Sequence, residues 1–172
     1  MLLIAVLFAP LLITVGASPA QAIPNRHQIK NYRGPQRCLD VRIQDHETVQ
    51  MWGCSSAPQK RWTMTWDHSP SLGTNATFFN QLDGNCLRAP TLSGGPGEFV
   101  TVGPCEDNLS TKWRVFYAYN PPSPLLGWYQ VWQNLSTFTC LYLPSAPVNG
   151  TRIETRTCDK DDPAQQWQSV NV

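Results

Sequence analysis

Cysteine is the residue whose number and spacing most clearly announce chemistry in this chain. Cys38, Cys54, Cys86, Cys105, Cys140 and Cys158 fall into three pairs, separated by 16, 19 and 18 positions. An even number of thiols set out this way reads as a disulfide framework. Zinc ligation is the rival use, but the chain has no Cys-x-x-Cys pair and no His-x3–5-His spacing. The other reactive side chains are dispersed. His27, His46 and His68 form no triad or ligand set, and no G-x-S-x-G, H-E-x-x-H, G-x-G-x-x-G or P-loop motif occurs. The run Asp159-Lys160-Asp161-Asp162 lacks the alternation and closing Glu of a calcium loop, so it reads as a solvated turn. These residues give an expectation of no catalysis, no metal and no cofactor.

The elements that carry the cysteines recur. Cys38, Cys86 and Cys140 are 48 and 54 positions apart, and each is followed by Leu. Each second cysteine is followed, 8 or 9 residues on, by a tryptophan: Trp62, Trp113 and Trp167. Three features kept in one order at a period near 50 mark an internal repeat. Three equivalent units make three equivalent bonds, so the repeat predicts Cys38–Cys54, Cys86–Cys105 and Cys140–Cys158. Every unit opens on a strand-like run, Gln28–Asn31, Phe78–Gln81 or Gln130–Gln133. Turn signals follow at Leu82-Asp83-Gly84-Asn85, Ser93-Gly94-Gly95-Pro96-Gly97 and Asn149-Gly150. Phe99–Val102 and Arg152–Thr155 alternate as strands do, and helical periodicity is nearly absent. The fold class this predicts is all-β.

Composition narrows the partners. Of 172 residues, 13 are Lys or Arg and 12 are Asp or Glu, a net charge of +1. Without a basic stripe to neutralise phosphates, nucleic acid is not an expected ligand. Seven Trp, five Tyr and six Phe at low net charge argue against disorder. Residues 1–22 read as a secretory signal peptide: Met1–Val15 is almost wholly apolar and Ala20-Gln21-Ala22 fits a cleavage site. The run is short for a bilayer span, which needs about 20 apolar residues, so no membrane insertion is expected. Residues 23–172 then form one exported domain, with repeats at about 26–70, 71–122 and 123–172. Four N-x-S/T sequons occur, at Asn75, Asn108, Asn134 and Asn149.

The arrangement resembles the ricin-type lectin module, a β-trefoil with Q-x-W repeats. The residues that carry the resemblance are Cys38-Leu39-Asp40-Val41, Gln50-Met51-Trp52-Gly53-Cys54 and Arg61-Trp62. Weaker copies are Cys86-Leu87, Cys105 and Trp113, then Cys140-Leu141, Cys158 and Gln165-Gln166-Trp167. It covers the chain from about Gln28 to its end. The resemblance implies three four-stranded lobes about a pseudo-threefold axis, with Trp62, Trp113 and Trp167 in the core. It also implies one sugar pocket per lobe, built from an acid after the first cysteine, an aromatic before the second and an amide near the tryptophan.

Only the first repeat keeps these parts. Asp40 is the acid, Trp52 the stacking aromatic and Gln59 the amide. Gln50 lies two residues from Trp52, on the same strand face, and offers a second amide. Lys60 stands where the Q-x-W glutamine belongs and is placed to pair with Asp40. The second repeat carries Arg88, Gly103 and Thr111 at the acid, aromatic and amide positions; the third carries Tyr142, Arg156 and Ala164. Arg88 and Arg156 read as surface charges, and Trp66, Trp128 and Trp132 as packing residues. The expected function is that of a secreted, non-catalytic carbohydrate-binding protein with one pocket, galactose-type glycans being common ligands of such modules. The alternatives are a trefoil that binds a protein partner, as a toxin-delivery subunit or effector, or a protease inhibitor presenting Pro121–Pro124 or Pro144–Pro147. Self-association is a further expectation, because a lone shallow pocket binds weakly.

Overall fold

A computed structural model of the chain describes residues 25–90, 97–119 and 128–172, with the backbone alone at position 119. The expected signal segment, the turn at Ser93–Pro96 and the loop Pro121–Pro124 lie outside these residues. Thirteen strands and three single-turn 3-10 helices form the described chain, with no α-helix among them. The first lobe holds β1 (His27–Asn31), β2 (Gly34–Val41), β3 (Val49–Gly53) and β4 (Trp62–Ser69). The second holds β5 (Gly73–Asn80), β6 (Cys86–Arg88), β7 (Glu98–Phe99), β8 (Thr101–Gly103) and β9 (Trp113–Tyr119). The third holds β10 (Tyr129–Asn134), β11 (Cys140–Tyr142), β12 (Glu154–Arg156) and β13 (Trp167–Asn171).

Two strands of each lobe build a closed barrel. The ring runs β1–β4–β5–β9–β10–β13 and returns to β1, every pair antiparallel. Closure leaves no unpaired edge in this layer. The other strands form three hairpins, β2–β3, β6–β8 and β11–β12, that meet one another at one end, with the short β7 added beside β12. Backbone bonds between lobes tie them: Met51 N–H to Thr151 O, Ile153 N–H to Val49 O, and Val102 N–H to Glu47 O, at 2.8, 3.1 and 2.9 Å. A six-stranded barrel capped by three hairpins is a β-trefoil.

The repeat places equivalent side chains on equivalent work. Trp62, Trp113 and Trp167 are fully buried, and their indole N–H groups donate to the carbonyls of Leu39, Leu87 and Leu141 at 3.0, 3.0 and 2.9 Å. A ring of this size buries about 200 Å², worth about 5 kcal/mol in gross transfer at about 25 cal/mol/Å². The three intra-repeat disulfides are formed. In the chain-entropy model each loop of this length adds about 3 kcal/mol.

A second threefold set escapes the sequence reading. Asn31, Asn80 and Asn134 are buried at the ends of β1, β5 and β10. Their amides donate to the carbonyls of Ala164, Gln59 and Ser110, each three residues before a core tryptophan. Their carbonyl oxygens accept from Arg33, Leu82 and Ser136 N–H, closing the next turn. Each asparagine therefore fastens one lobe to the last turn of the lobe before it in the ring. The sequon at Asn134 is thus spent inside the fold, and Asn75 is equally buried, whereas Asn149 is exposed.

One expected strand is divided. Phe99–Val102 alternates as a single run, yet β7 pairs with β12 of the third lobe while β8 pairs with β6 of the second. The chain changes partners at Val100, whose N–H bonds Ile153 O at 2.9 Å. Alternation records which side is buried, not which neighbour is paired.

Candidate functional site

The β2–β3 hairpin positions the first-lobe residues. Its register sets Cys38 opposite Trp52 and Asp40 opposite Gln50. Leu39, Val41, Val49 and Met51 point into the core, so the alternating partners must share the other face. The Cys38–Cys54 bond pins the open end of the hairpin. The 3-10 turn Pro58–Lys60 then brings Gln59 and Lys60 over that face, and all four predicted residues line one cavity of about 490 Å³.

Two other segments complete the wall. Arg42, Ile43 and Gln44 form one rim. Asp45 holds that rim by pairing with Arg42 and accepting the N–H groups of Glu47 and Thr48 at 3.1 and 3.0 Å. Gly150, from the third lobe, forms part of another. Its N–H donates to Met51 O at 2.9 Å, and its neighbour Asn149 accepts Gly53 N–H at 2.9 Å. At Gly150 φ is +87°, a left-handed turn that favours glycine. The pocket is therefore assembled from two lobes. Residues 149 and 150 drew notice in the sequence only as a turn and a sequon.

Asp40 sits at the bottom, 4% exposed. Its Oδ2 accepts Gln50 Nε2 at 2.8 Å, and Lys60 Nζ lies 3.7 Å from Oδ1. Burial raises the carboxyl above its ordinary value, and Gln50 and Lys60 only partly offset this. Gln50 therefore serves the acid first: its amide donates to Asp40 and orients it. Lys60 also donates to Ser55 Oγ at 3.2 Å, which fixes the ammonium beside the acid. Trp52 stands on the wall, 41% exposed. The cavity thus joins a carboxylate, three amides, an ammonium and a guanidinium to one exposed aromatic.

The other two lobes use the same register for different ends. Gly103 opposes Cys86 and Arg156 opposes Cys140, each matching Trp52. In the second lobe the Arg88 guanidinium lies across Gly103. A Cβ there would come within 3.2 Å of Arg88 Cζ. Thr111 is buried, its hydroxyl donating to backbone carbonyls of its own turn. In the third lobe Arg156 Cζ stacks 4.0 Å from the Tyr142 ring centroid, and its Nη1 donates to the Tyr142 hydroxyl at 3.1 Å. Ala164 is buried. Arg156 is exposed, as expected of a surface charge, and Arg88 is half-buried; each stands on the ground that the pocket occupies in the first lobe.

The remaining candidates are dispersed. Trp132 is in the core, edge-on to Phe78 at 4.8 Å, while Trp66 and Trp128 are exposed. His46 Nδ1 meets Asp83 Oδ2 at 2.7 Å, His68 meets the Thr74 hydroxyl and His27 the Ser169 hydroxyl. Asp162 caps a 3-10 turn by accepting Ala164 N–H, and Lys160 pairs with Asp161. Among the described residues no group of three His, Cys, Asp or Glu is gathered to hold a metal, and no helix is long and apolar enough to cross a membrane.

Comparison with known proteins adds ancestry to this geometry. No family model matches the chain. Solved structures share its fold, among them the following two. The designed threefold-symmetric protein ThreeFoil aligns over 86% of this chain and 99% of its own, with a TM-score of 0.67 at 13% identity. The ricin B-like lectin of Macrolepiota procera, solved in complex with lactose, aligns over 87% and 98%, with a TM-score of 0.62 at 14% identity. The uncharacterised protein Rv1419 of Mycobacterium tuberculosis (strain ATCC 25618 / H37Rv) is 30% identical over 125 residues, covering 68% of this chain and 70% of that one. This chain belongs to the family of Rv1419, and its fold is a β-trefoil.

Proposed function

We propose that the protein is an exported lectin that binds a saccharide at the first-lobe pocket and leaves it chemically unchanged. One observation carries the reading: Asp40, Gln50, Trp52 and Gln59 line a single cavity, with the acid oriented by its neighbours. A pyranose has a hydroxyl rim and a C–H face. The carboxylate and amides suit the first and the exposed indole the second. Each hydrogen bond to a charged carboxylate is worth about 1.5–3 kcal/mol. Of the residues lining the cavity, Asp40 alone is acidic, whereas most glycosidases need a pair of carboxyl groups across the bond they cut. Disulfides persist in oxidising compartments, and three of them accord with export. The fold and the threefold Cys–Trp repeat support reading the chain as a ricin-type module.

A glycan array that includes galactose-type ligands tests the proposal. The wild-type protein is expected to bind, and the double variant D40A/W52A is expected to lose that binding at unchanged fold. Equal binding by both, or none by either, overturns it. A second reading is a protein partner, favoured by the exposed Ile43 and Trp52 on the pocket rim. Capture of one partner chain, insensitive to added sugar, would select it.

A further inference from the structure

We infer a second saccharide subsite, outside the three positions that the repeat makes equivalent. The inference rests on the lectin reading and extends it to a new place. β1 pairs with β13 from His27↔Asn171 to Asn31↔Trp167, and the Tyr32 N–H then bonds Gln166 O at 2.9 Å. This seam between the first and third lobes borders a cavity of about 320 Å³. Tyr32, Tyr117, Lys160, Asp161, Pro163 and Gln166 line it. No residue here corresponds by repeat to Asp40 or Trp52, whose third-lobe counterparts are Tyr142 and Arg156.

The lining repeats the chemistry of the first-lobe pocket with different residues. Two aromatic rings stand part-exposed, Tyr32 at 40% and Tyr117 at 38%. Tyr32 is held edge-on to Tyr129, with centroids 5.0 Å apart, so its ring is already positioned. A lysine again accompanies an acid: Lys160 Nζ donates to both oxygens of Asp161 at 2.8 Å and lies 5.6 Å from the Tyr117 centroid. An amide is again present, Gln166, whose Nε2 bonds Lys160 O at 3.0 Å and fastens the charged loop to the seam. An ion pair this exposed adds little to stability, with Asp161 78% accessible. Both residues line the cavity, where their exposed groups offer donors and acceptors to a ligand. The ligand class is a pyranose: ring faces for its C–H side, carboxylate and ammonium for its hydroxyls. Because Asp161 is solvated where Asp40 is buried, this subsite is the weaker, by about tenfold, the loss of one well-made charged hydrogen bond. Two unlike subsites on one chain let it bridge a glycan surface without dimerising.

An NMR titration of the 15N-labelled protein tests this, using the methyl glycosides of galactose, mannose, glucose and N-acetylglucosamine as probes. The Trp52 indole and Gln50 amide report on the first pocket, the Gln166 amide and the Tyr32 and Tyr117 rings on the second. For at least one glycoside both sets are expected to shift, the second with a midpoint about tenfold higher. Y117A and D161N, both at exposed positions, are expected to abolish the second response and leave the first. Titration of the first set alone overturns the inference and leaves the lectin reading in place, as does a second response unaltered in both variants. Titration of the second set alone overturns the first-lobe site and upholds this one. Silence of both sets across all four probes overturns both.

Discussion

The first lobe and its two copies share a backbone and differ in what stands on it. In each, a hairpin residue opposite the first cysteine looks out over the same ground: Trp52, Gly103 or Arg156. In the first lobe that ground is a cavity floored by a buried acid. In the second it is covered by Arg88 lying on Gly103, and in the third by Arg156 stacked on Tyr142. The lesson is that core packing and the candidate pocket occupy opposite faces of one hairpin. The core face is constrained three times over by packing, so it repeats. The outer face carries no such packing constraint, so it differs from lobe to lobe, and in two of them side chains fill the ground that is a cavity in the first.

This contrast can be tested from both sides. The largest effect belongs to the shared face. Trp62→Ala, Trp113→Ala and Trp167→Ala are each expected to cost about 3–5 kcal/mol, read as similar losses in Tm. A lobe that tolerated the change would break the equivalence. Next comes the unshared face. Asp40→Ala is expected to weaken saccharide binding at least about tenfold, the worth of one charged hydrogen bond. Arg88→Ala and Tyr142→Ala are expected to leave binding at the first-lobe pocket unaltered, as measured on the same array.

The third prediction concerns pH. Burial holds the folded-state pKa of Asp40 above its ordinary value. A raised pKa favours the neutral acid, so this carboxyl supports the fold most at low pH and loses that contribution as pH rises through its folded value. The proposed saccharide binding would use the carboxylate and run the other way. It is expected to fall away on acidification at a higher pH than an ordinary aspartate would give. Lys60→Met removes the adjacent cation and is expected to move that limb further up, measured by titrating affinity against pH. The smallest effect is Arg156→Ala, which removes an exposed stacking contact and is expected to cost about 0.5–1 kcal/mol in chemical denaturation. A cost of several kcal/mol would mean that the filled third-lobe position is a structural element rather than a covered gap.

Much of the scaffold was legible because its parts are local. Each disulfide joins cysteines 16 to 19 residues apart, and each core tryptophan bonds a carbonyl in its own repeat. The asparagines at 31, 80 and 134 recur at nearly the same period as the tryptophans, so a signal was present. Its meaning was not, since their partners lie in another lobe. The four first-lobe residues could be grouped because a hairpin register depends on a short stretch of chain.

The sequence by itself determined the threefold repeat, the all-β class, the disulfide pairing and the lobe in which acid and aromatic survive together. These follow from period, alternation and residue type, which chain order preserves. Only the tertiary structure decided that Gly150 of the third lobe walls the first-lobe pocket, that Gln50 orients Asp40, that two arginines fill the equivalent ground in the other lobes, and that Tyr32 and Tyr117 line one cavity with Lys160. The physical reason is closure of the barrel. It brings the first strand against the last, and so sets side chains more than a hundred positions apart within one cavity.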